Sequence, residues 1–319
     1  MRDLIRTISF THKVIHPNFR GFKMKVRPVC AVCLLERGFK QAKMATDDEE
    51  LQRKAVKKLL EFLAENFDSK HTPPHIGYLR DQIVLDAIGK KDEDIYAKLK
   101  KRSNEIALEL LPSIREWVEE AKTPIESFRR ACMASIVGNI MEFDITGHDF
   151  DLKDLPKVIK EAENELVIDD IEKVYQLIQE KKNILFLTDN AGEIAFDTLL
   201  VAELKKNGCQ VTVAVKEEPV MNDATMEDAL EVGMDKIVDR LITTGANPST
   251  AGLNLNDASK DFLDVYKKTD FIIAKGMGYY ETFTEFEHPC PVVHLLRTKC
   301  EPVAQSLGAD RHRNVAKLS

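Results

Sequence analysis

Residues 183–197 read Asn-Ile-Leu-Phe-Leu-Thr-Asp-Asn-Ala-Gly-Glu-Ile-Ala-Phe-Asp and carry the clearest structural signal in the chain. The apolar run at 184–187 is typical of a strand that is buried on both faces. It ends at a polar turn containing Asp189 and Asn190, and a helical pattern follows. A strand, a turn and a helix in this order place both side chains at the carboxyl end of the strand. Open α/β sheets bind their ligands at that edge.

The turn has two interpretations. The carboxylate of Asp189 and the amide of Asn190 supply oxygen ligands that suit a hard cation. The helix start behind them also offers backbone N–H groups to an anion. In the alternative interpretation, Asp189 and Asn190 only cap the helix that follows. The turn alone does not separate these interpretations.

Composition narrows the class of protein. The 319 residues are enough for one large domain or two ordinary ones. The net charge of −7 argues against a nucleic-acid partner, because such binding needs a basic face. No apolar run approaches the roughly 20 residues that span a bilayer, so no membrane partner is expected. The six cysteines are scattered and no secretory signal is present, so we expect a reduced, cytoplasmic setting.

Downstream of the opening stretch, apolar runs alternate with helical patterns. The pattern predicts strands at 184–187, 210–215, 236–238, 271–274 and 292–296, and helices at 223–232 and 256–267. Two further helical patterns precede the first strand, at 155–166 and 169–181. Strands that alternate with helices form a parallel-rich sheet. We therefore predict a Rossmann-like three-layer α/β/α domain over residues 151–319.

The first half of the chain has a different pattern. From Val26 to about Phe143 the apolar residues follow a helical period almost continuously, with a predicted break at Thr72-Pro-Pro-His75. This predicts an all-α domain over residues 24–150. Residues 1–23 are basic and lack a clear period, which indicates a loosely ordered extension.

Two other predicted strand ends carry polar side chains. Asn222 and Asp223 follow the strand at 210–215, and Lys275-Gly-Met-Gly278 follows the strand at 271–274. A lysine before two glycines suits a phosphate, since the ammonium neutralises charge and the glycines let backbone N–H groups approach. Taken singly, Asn222-Asp223 reads as a helix cap and Gly-x-Gly as a solvated turn. Three such loops at one edge indicate a site for a metal and a phosphate.

In combination these motifs resemble the domain of unknown function 89 family. They are Asp-Asn-Ala-Gly-Glu-Ile at 189–194, Asn-Asp-Ala at 222–224, and Ala-Lys-Gly-x-Gly-Tyr-Tyr-Glu at 274–281. Members of this family include damage-control phosphatases and relatives once proposed as protein carboxyl methyltransferases. The resemblance runs from about Met24 to the C-terminus and includes Cys30-Ala-Val-Cys33, a motif typical of the small prokaryotic branch.

The resemblance implies roles for individual residues. Asp189, Asn190 and Asp223 would be the ligands of a divalent metal such as Mn²⁺, Co²⁺ or Ni²⁺, with Mg²⁺ also compatible. The catalytic residues would be Asp189, Asp223 and Lys275. The expected substrate and phosphate contacts are Asn139, Glu193, Asn222, Lys275, Gly276 and Gly278. Glu142 and Met277 depart from the family pattern, which affects the substrate pocket more than the metal site.

The cysteine pair at positions 30 and 33 has two interpretations, a structural zinc site and packing as small apolar side chains. Cys30 and Cys33 are spaced i, i+3 and can share one side of a helix. A structural zinc site needs four ligands, and Cys290 and Cys300 are the only late candidates. Packing as small apolar side chains is therefore the favoured interpretation.

Three functions stand as hypotheses. The first is a metal-dependent phosphatase acting on small phosphorylated metabolites, such as sugar phosphates or damaged metabolites. The second is an S-adenosylmethionine-dependent methyltransferase, which is disfavoured because Asp189 and Asn190 occupy the turn where that cofactor needs close backbone approach. The third is a metal-bound sensor of phosphometabolites. The phosphatase nucleophile is left open between a metal-bound water and an aspartate.

Overall fold

The structure, a computed structural model, describes residues 23–138, 161–245 and 248–319. Most of the predicted N-terminal extension (residues 1–22) lies outside the described residues, as do Asn139 and Glu142. Met24 is buried, and its backbone N–H donates to Thr284 Oγ1 at 2.9 Å. No helix among the described residues is long and apolar enough to cross a membrane.

The first described segment, residues 23–138, contains five helices and no strand, as predicted. Its helices are α1 (Cys30–Ala45), α2 (Glu49–Asn66), α3 (Pro73–Ile88), α4 (Ala97–Glu119) and α5 (Pro124–Gly138). The Asp48 carboxylate caps α2 by accepting the N–H groups of Glu50 and Leu51. The prolines predicted to break a helix instead begin α3, since proline is tolerated in a first helical turn.

The described residues from 161 onward form one seven-stranded sheet flanked by helices. The strands are β1 (Leu166–Asp169), β2 (Asn183–Leu187), β3 (Gln210–Val215), β4 (Arg240–Thr243), β5 (Phe271–Lys275), β6 (Val292–Arg297) and β7 (Asn314–Leu318). The helices are α6 (Ile171–Glu180), α7 (Glu193–Lys206), α8 (Met226–Glu231), α9 (Lys260–Tyr266), α10 (Gly276–Phe283) and α11 (Glu301–Leu307). This is the predicted α/β fold with a parallel-rich sheet.

The strand order is β1-β7-β6-β5-β2-β3-β4. All neighbouring strands are parallel except β6 and β7, which are antiparallel. The strand β2 lies between β3 and β5, with Leu187 opposite both Ala214 and Ala274. The carboxyl ends of these three strands therefore meet at one edge of the sheet.

The helical segment and the sheet share a hydrophobic core. Side chains of α4 and α5, such as Ile114 and Phe128, belong to the same buried cluster as Phe186 of β2 and Phe196 of α7. Burial of apolar surface contributes about 25 cal/mol per Å², so this shared core stabilises the packing of the helical segment against the sheet. A smaller cluster joins α1, α2 and α3.

Three strand predictions differ from the structure. The strand predicted at 236–238 is wrong: Met234–Lys236 is a 3₁₀ turn with Met234 buried, and β4 begins four residues later than predicted. The strands β1 and β7 were not predicted, because each has only four or five residues and neither has a long apolar run. The pattern read as helix up to residue 166 ends where β1 begins.

Candidate active site

Two turns meet at the edge formed by β2, β3 and β5. Asn190 and Asp223 form an isolated antiparallel bridge. The N–H of Ala191 donates to the carbonyl oxygen of Asn222 at 2.9 Å, and the N–H of Ala224 donates to that of Asp189 at 2.8 Å. Backbone hydrogen bonds thus bring together the two turns that were predicted separately.

The acids in these turns are not helix caps. The residue that precedes α7 is Gly192, which has no side chain to cap that helix. The residue that precedes α8 is Thr225, whose N–H and hydroxyl group both donate to the Asp228 carboxylate. The capping interpretation is therefore wrong for Asp189, Asn190 and Asp223.

The start of α7 does not present the free N–H groups that were expected there. The N–H of Gly192 donates to Asn104 Oδ1 of α4 at 2.7 Å, and that of Ala191 is bonded to the other turn. Because these two donors already have protein acceptors, they are not available to an anion.

The Asn190 side chain is oriented by its amide hydrogens. Its Nδ2 donates to Asp189 Oδ2 and to Glu193 Oε2, both at 3.0 Å. Its side-chain oxygen, Oδ1, accepts no hydrogen bond from the described residues. Asn190 and Asp223 are 5% and 4% exposed, so their oxygen atoms lie in a largely dehydrated setting. Two carboxylates and an amide oxygen form a donor set that fits a hard or borderline divalent cation with water ligands.

In the described ranges, no group of three His, Cys, Asp or Glu side chains is arranged to hold a metal. A cation at this edge would therefore depend on the Asn190 amide as well as on the two aspartates.

Gly276 lies directly against the Asp189 carboxylate. Its φ angle is +77°, and a Cβ atom at this position would overlap the carboxylate oxygens. Only glycine combines this left-handed backbone with so close an approach. The glycine was predicted to contact a phosphate; its observed contact is with a predicted metal ligand.

Lys216, at the end of β3, is a site residue that was not predicted from the sequence. It is 3% exposed, and its Nζ lies 3.7 Å from Asp223 Oδ2. It also donates to the carbonyl oxygens of Gly252 at 2.7 Å and Ala251 at 3.1 Å. Burial lowers the pKa of Lys216, while Asp223 and Asp189 oppose that shift. The sequence feature that could have identified Lys216 as a site residue is its position at the end of a buried strand, as for Lys275.

Lys275 lies behind the predicted metal ligands and is fully buried. Its ammonium donates to Ser135 O at 2.9 Å, to Asp197 Oδ1 at 2.7 Å, and to Glu193 Oε1. Burial opposes its charge, but Asp197 and Glu193 outweigh burial and raise the pKa of Lys275. Burial raises the pKa of Asp197 to about 6. This geometry indicates that Lys275 positions Glu193 and, through it, Asn190.

A cavity of about 410 Å³ opens above the two turns, between the helical segment and the sheet edge. Asp189, Asn190, Asn222, Asp223 and Gly278 line it, whereas Glu193, Lys275 and Gly276 are not among its lining residues. Its lining includes the cationic side chains Arg37, Arg80, Lys299 and Arg311, and the acidic side chains Glu36, Glu281 and Glu301. The cavity thus combines oxygen ligands for a cation with positive groups for an anion.

The cavity lining also contains Met277, which departs from the family pattern, and three cysteines. The Sδ atom of Met277 accepts the backbone N–H of Lys299 at 3.3 Å. Cys30, Cys33 and Cys300 are all free thiols. Burial raises the pKa of Cys30 and of Cys300. Cys290 packs instead against the cluster containing Phe262.

Known proteins share this architecture and sequence. The family model for the damage-control phosphatase ARMT1-like domain matches residues 26–315. A protein of Archaeoglobus fulgidus named damage-control phosphatase is 37% identical over 296 residues, which cover 92% of this chain and 99% of that protein. A damage-control phosphatase of Pyrococcus horikoshii is 32% identical over 285 residues, covering 89% of this chain and 94% of the relative.

A solved structure agrees with these matches. The crystal structure of a DUF89 family protein from Pyrococcus horikoshii superposes with a TM-score of 0.81 at 30% sequence identity. The match covers 92% of this chain and 98% of that one. The chain therefore belongs to the damage-control phosphatase ARMT1-like (DUF89) family.

Proposed function

We propose that this protein is a divalent-metal-dependent phosphatase that hydrolyses small phosphorylated metabolites, such as sugar phosphates or damaged metabolites. The observation that carries the proposal is the convergence of Asp189, Asn190 and Asp223 on one cavity that is also lined by cationic side chains. Membership in a family whose named relatives are damage-control phosphatases supports the same reaction.

Asp189, Asp223 and the Asn190 carbonyl oxygen would hold the metal. A divalent cation bound there would polarise a phosphate ester and neutralise part of its charge. Lys216 faces Asp223 and is fixed by two backbone carbonyls, so it holds that carboxylate in position. Gly276 admits the Asp189 carboxylate, and Glu193 orients the Asn190 amide.

The cationic residues of the cavity wall are the candidates for holding the phosphate. Arg80 is 3% exposed, and its guanidinium is bonded to Asp81 Oδ1 at 2.7 Å. This ion pair fixes the guanidinium at the cavity wall and makes it a preorganised positive group. The attacking group is either a water molecule or an aspartate, and trapping a phospho-enzyme with labelled substrate separates these two routes.

The test is phosphate release from p-nitrophenyl phosphate and from a panel of sugar monophosphates. Activity should disappear after exhaustive chelation and return when Mn²⁺, Co²⁺, Ni²⁺ or Mg²⁺ is added. Asp189→Ala and Asp223→Ala should reduce kcat/KM by about 10²–10³-fold or more, the range for loss of a preorganised electrostatic group. Each should also weaken metal binding measured by calorimetry.

Asp235→Ala removes an exposed carboxylate away from the cavity and is the matched control. It should retain wild-type activity and metal affinity. Full activity after chelation would contradict the metal requirement. Binding of metal and phosphate esters without turnover of any ester would contradict the phosphatase and favour a sensor.

A further inference from the structure

Glu281 is a buried carboxyl group that has no hydrogen-bonded partner among the described residues. It lies in α10, is 6% exposed and lines the cavity. No group in the described parts of the chain donates a hydrogen bond to its carboxyl oxygens, whereas its backbone carbonyl is bonded to Thr284. Its carboxyl oxygens are not among the side-chain atoms that are both fully enclosed and unpartnered, so they face the cavity, where a ligand can reach them.

The other buried acids near the cavity differ from Glu281. Asp81 pairs with Arg80, Asp197 pairs with Lys275, and Asp228 accepts hydrogen bonds from Asn104 and Thr225. Glu281 therefore differs from these buried acids, because it lies at the cavity wall and has no such contact from the described residues.

Glu281 and the predicted metal site lie at different places along the same cavity. Gly276, the first residue of α10, contacts Asp189, and Glu281 is five residues farther along that helix. At 1.5 Å per residue this is about 7.5 Å along the helix axis. Because Asp189 and Glu281 line the same cavity, a phosphate ester whose phosphate lies at the metal site can extend its alcohol portion through the cavity toward Glu281.

We propose that Glu281 determines substrate specificity by donating a hydrogen bond to an oxygen atom in the alcohol portion of the substrate. This rests on the proposed phosphatase function and deepens it. The preferred substrates would then be phosphate esters of small molecules that carry hydroxyl or carbonyl groups, such as sugars. Phenyl phosphate, whose ring carries no oxygen atom besides the ester oxygen, would gain nothing from Glu281.

The surroundings of Glu281 favour the protonated acid. Burial raises its pKa to about 8, and Arg37 opposes that shift. The thiols of Cys30 and Cys300 also face it, and burial raises their pKa, so both are neutral at pH 7. The remaining charged residues of the cavity wall lie on α1, α3, α11 and the adjoining loops: Glu36, Arg80, Lys299, Glu301 and Arg311. A protonated carboxyl group can donate to a substrate oxygen.

The experiment compares kcat/KM for ribose 5-phosphate and for phenyl phosphate, both measured by phosphate release, in two variants. Glu281→Leu keeps the approximate volume and removes the hydrogen-bond donor. It should lower kcat/KM for ribose 5-phosphate by about 10–100-fold, because a site group is left without its partner. Its kcat/KM for phenyl phosphate should change by less than about 3-fold. Glu281→Gln retains an amide donor and should keep the ribose 5-phosphate value within about 5-fold.

Glu287→Leu is the matched control, because Glu287 is exposed and lies outside the cavity. It should leave both substrates unchanged. An equal loss for both esters in Glu281→Leu, or no loss for either, would overturn the specificity role alone. If the wild-type protein hydrolysed neither ester with any added metal, the phosphatase proposal would fail, and the specificity role with it.

A second measurement remains available if Glu281→Leu does not fold. Between pH 4.5 and about 8, folded wild-type protein keeps a proton on Glu281 that the unfolded chain releases. The free energy of unfolding of the wild type should therefore fall relative to that of Glu281→Gln as pH rises from 5 to 8. Urea denaturation measures this difference. A difference independent of pH would mean that the folded-state carboxyl is ionised, and would overturn the donor role.

Discussion

Lys275 and Lys216 both end buried strands, yet they contact different parts of the site. Lys275 binds carboxylates behind the predicted metal ligands, while Lys216 faces Asp223. The sequence predicted a lysine at this edge. It could not show which lysine contacts a predicted metal ligand, because Ser135, Glu193 and Asp197 are brought to Lys275 only by the packing of α5 and α7 against β5.

Gly276→Ala tests the close contact with Asp189. The added methyl group would displace the Asp189 carboxylate, so we expect metal affinity to fall and kcat/KM to drop by about 100-fold or more. Gly208→Ala is the matched control, since Gly208 has the same φ of +77° and an added Cβ atom there would have no described atom within 4 Å. Both variants should lose about 1 kcal/mol of stability from the left-handed backbone.

Calorimetric titration with Mn²⁺ and phosphate-release assays check this expectation. Equal activity in the two variants would show that the contact between residue 276 and Asp189 is not required. Loss of activity in Gly208→Ala would show that backbone strain alone is responsible.

Secondary-structure elements meet at Lys275, which ends β5 and binds α5 through Ser135 and α7 through Glu193 and Asp197. Although Lys275 lies at the end of a strand, its side chain is fully buried and holds three elements together.

Lys275→Met leaves the Glu193 and Asp197 carboxylates buried without their cation. We expect the free energy of unfolding to decrease by about 3–5 kcal/mol, the cost of breaking a buried ion pair. Lys58→Met is the control, because Lys58 and its partner Glu61 on α2 are both exposed and the pair should contribute at most about 1 kcal/mol. Urea denaturation of both variants distinguishes them, and similar small losses would contradict the structural role of Lys275.

Elements with long apolar runs were predictable, whereas short ones were not. The strand β2 is buried on both faces, and its run at 184–187 reads as a strand without tertiary information. The four residues of β1 alternate between half-buried and exposed, a pattern too short to distinguish from the end of a helix. Its pairing with β7, some 150 residues away in sequence, is what makes it a strand.

Across the whole molecule, the helical segment supports the predicted metal-binding turns. Asn104 of α4 is fully buried and donates to Asp228 at 3.0 Å and to Glu231 at 2.6 Å. Its carbonyl oxygen accepts the N–H of Gly192 at the start of α7. One side chain from the helical segment therefore joins the helices that follow both turns. The sequence pattern predicts a domain boundary near residue 150, but described residues from both sides of that boundary pack in one hydrophobic core.

Asn104→Ala should remove the hydrogen bonds that join the helices following these two turns. We expect a loss of about 2–4 kcal/mol in the free energy of unfolding, because the Gly192 N–H would be left buried without an acceptor. Metal affinity should fall as well, although Asn104 is not a lining residue of the cavity. Ser113→Ala is the control on the same helix, since its hydroxyl group donates only to Leu110 O at 2.9 Å.

Denaturation and metal titration should place Ser113→Ala within about 1 kcal/mol of the wild type with unchanged affinity. If Asn104→Ala lost stability but bound metal like the wild type, the helical segment would stabilise the fold without shaping the site.

The helix α10 has a consequence for which molecules the cavity can select. A helix is a stiff connection, so the backbone at Glu281 stays at a fixed distance from Gly276, which contacts Asp189, when a ligand enters. A loop in this place would adapt to esters of several sizes. With a helix, an ester that is too short cannot reach both ends, and one that is too long must bend or leave the cavity. The protein would thus sort metabolites by chain length, and moving the acid by one helical turn would change the length that it accepts.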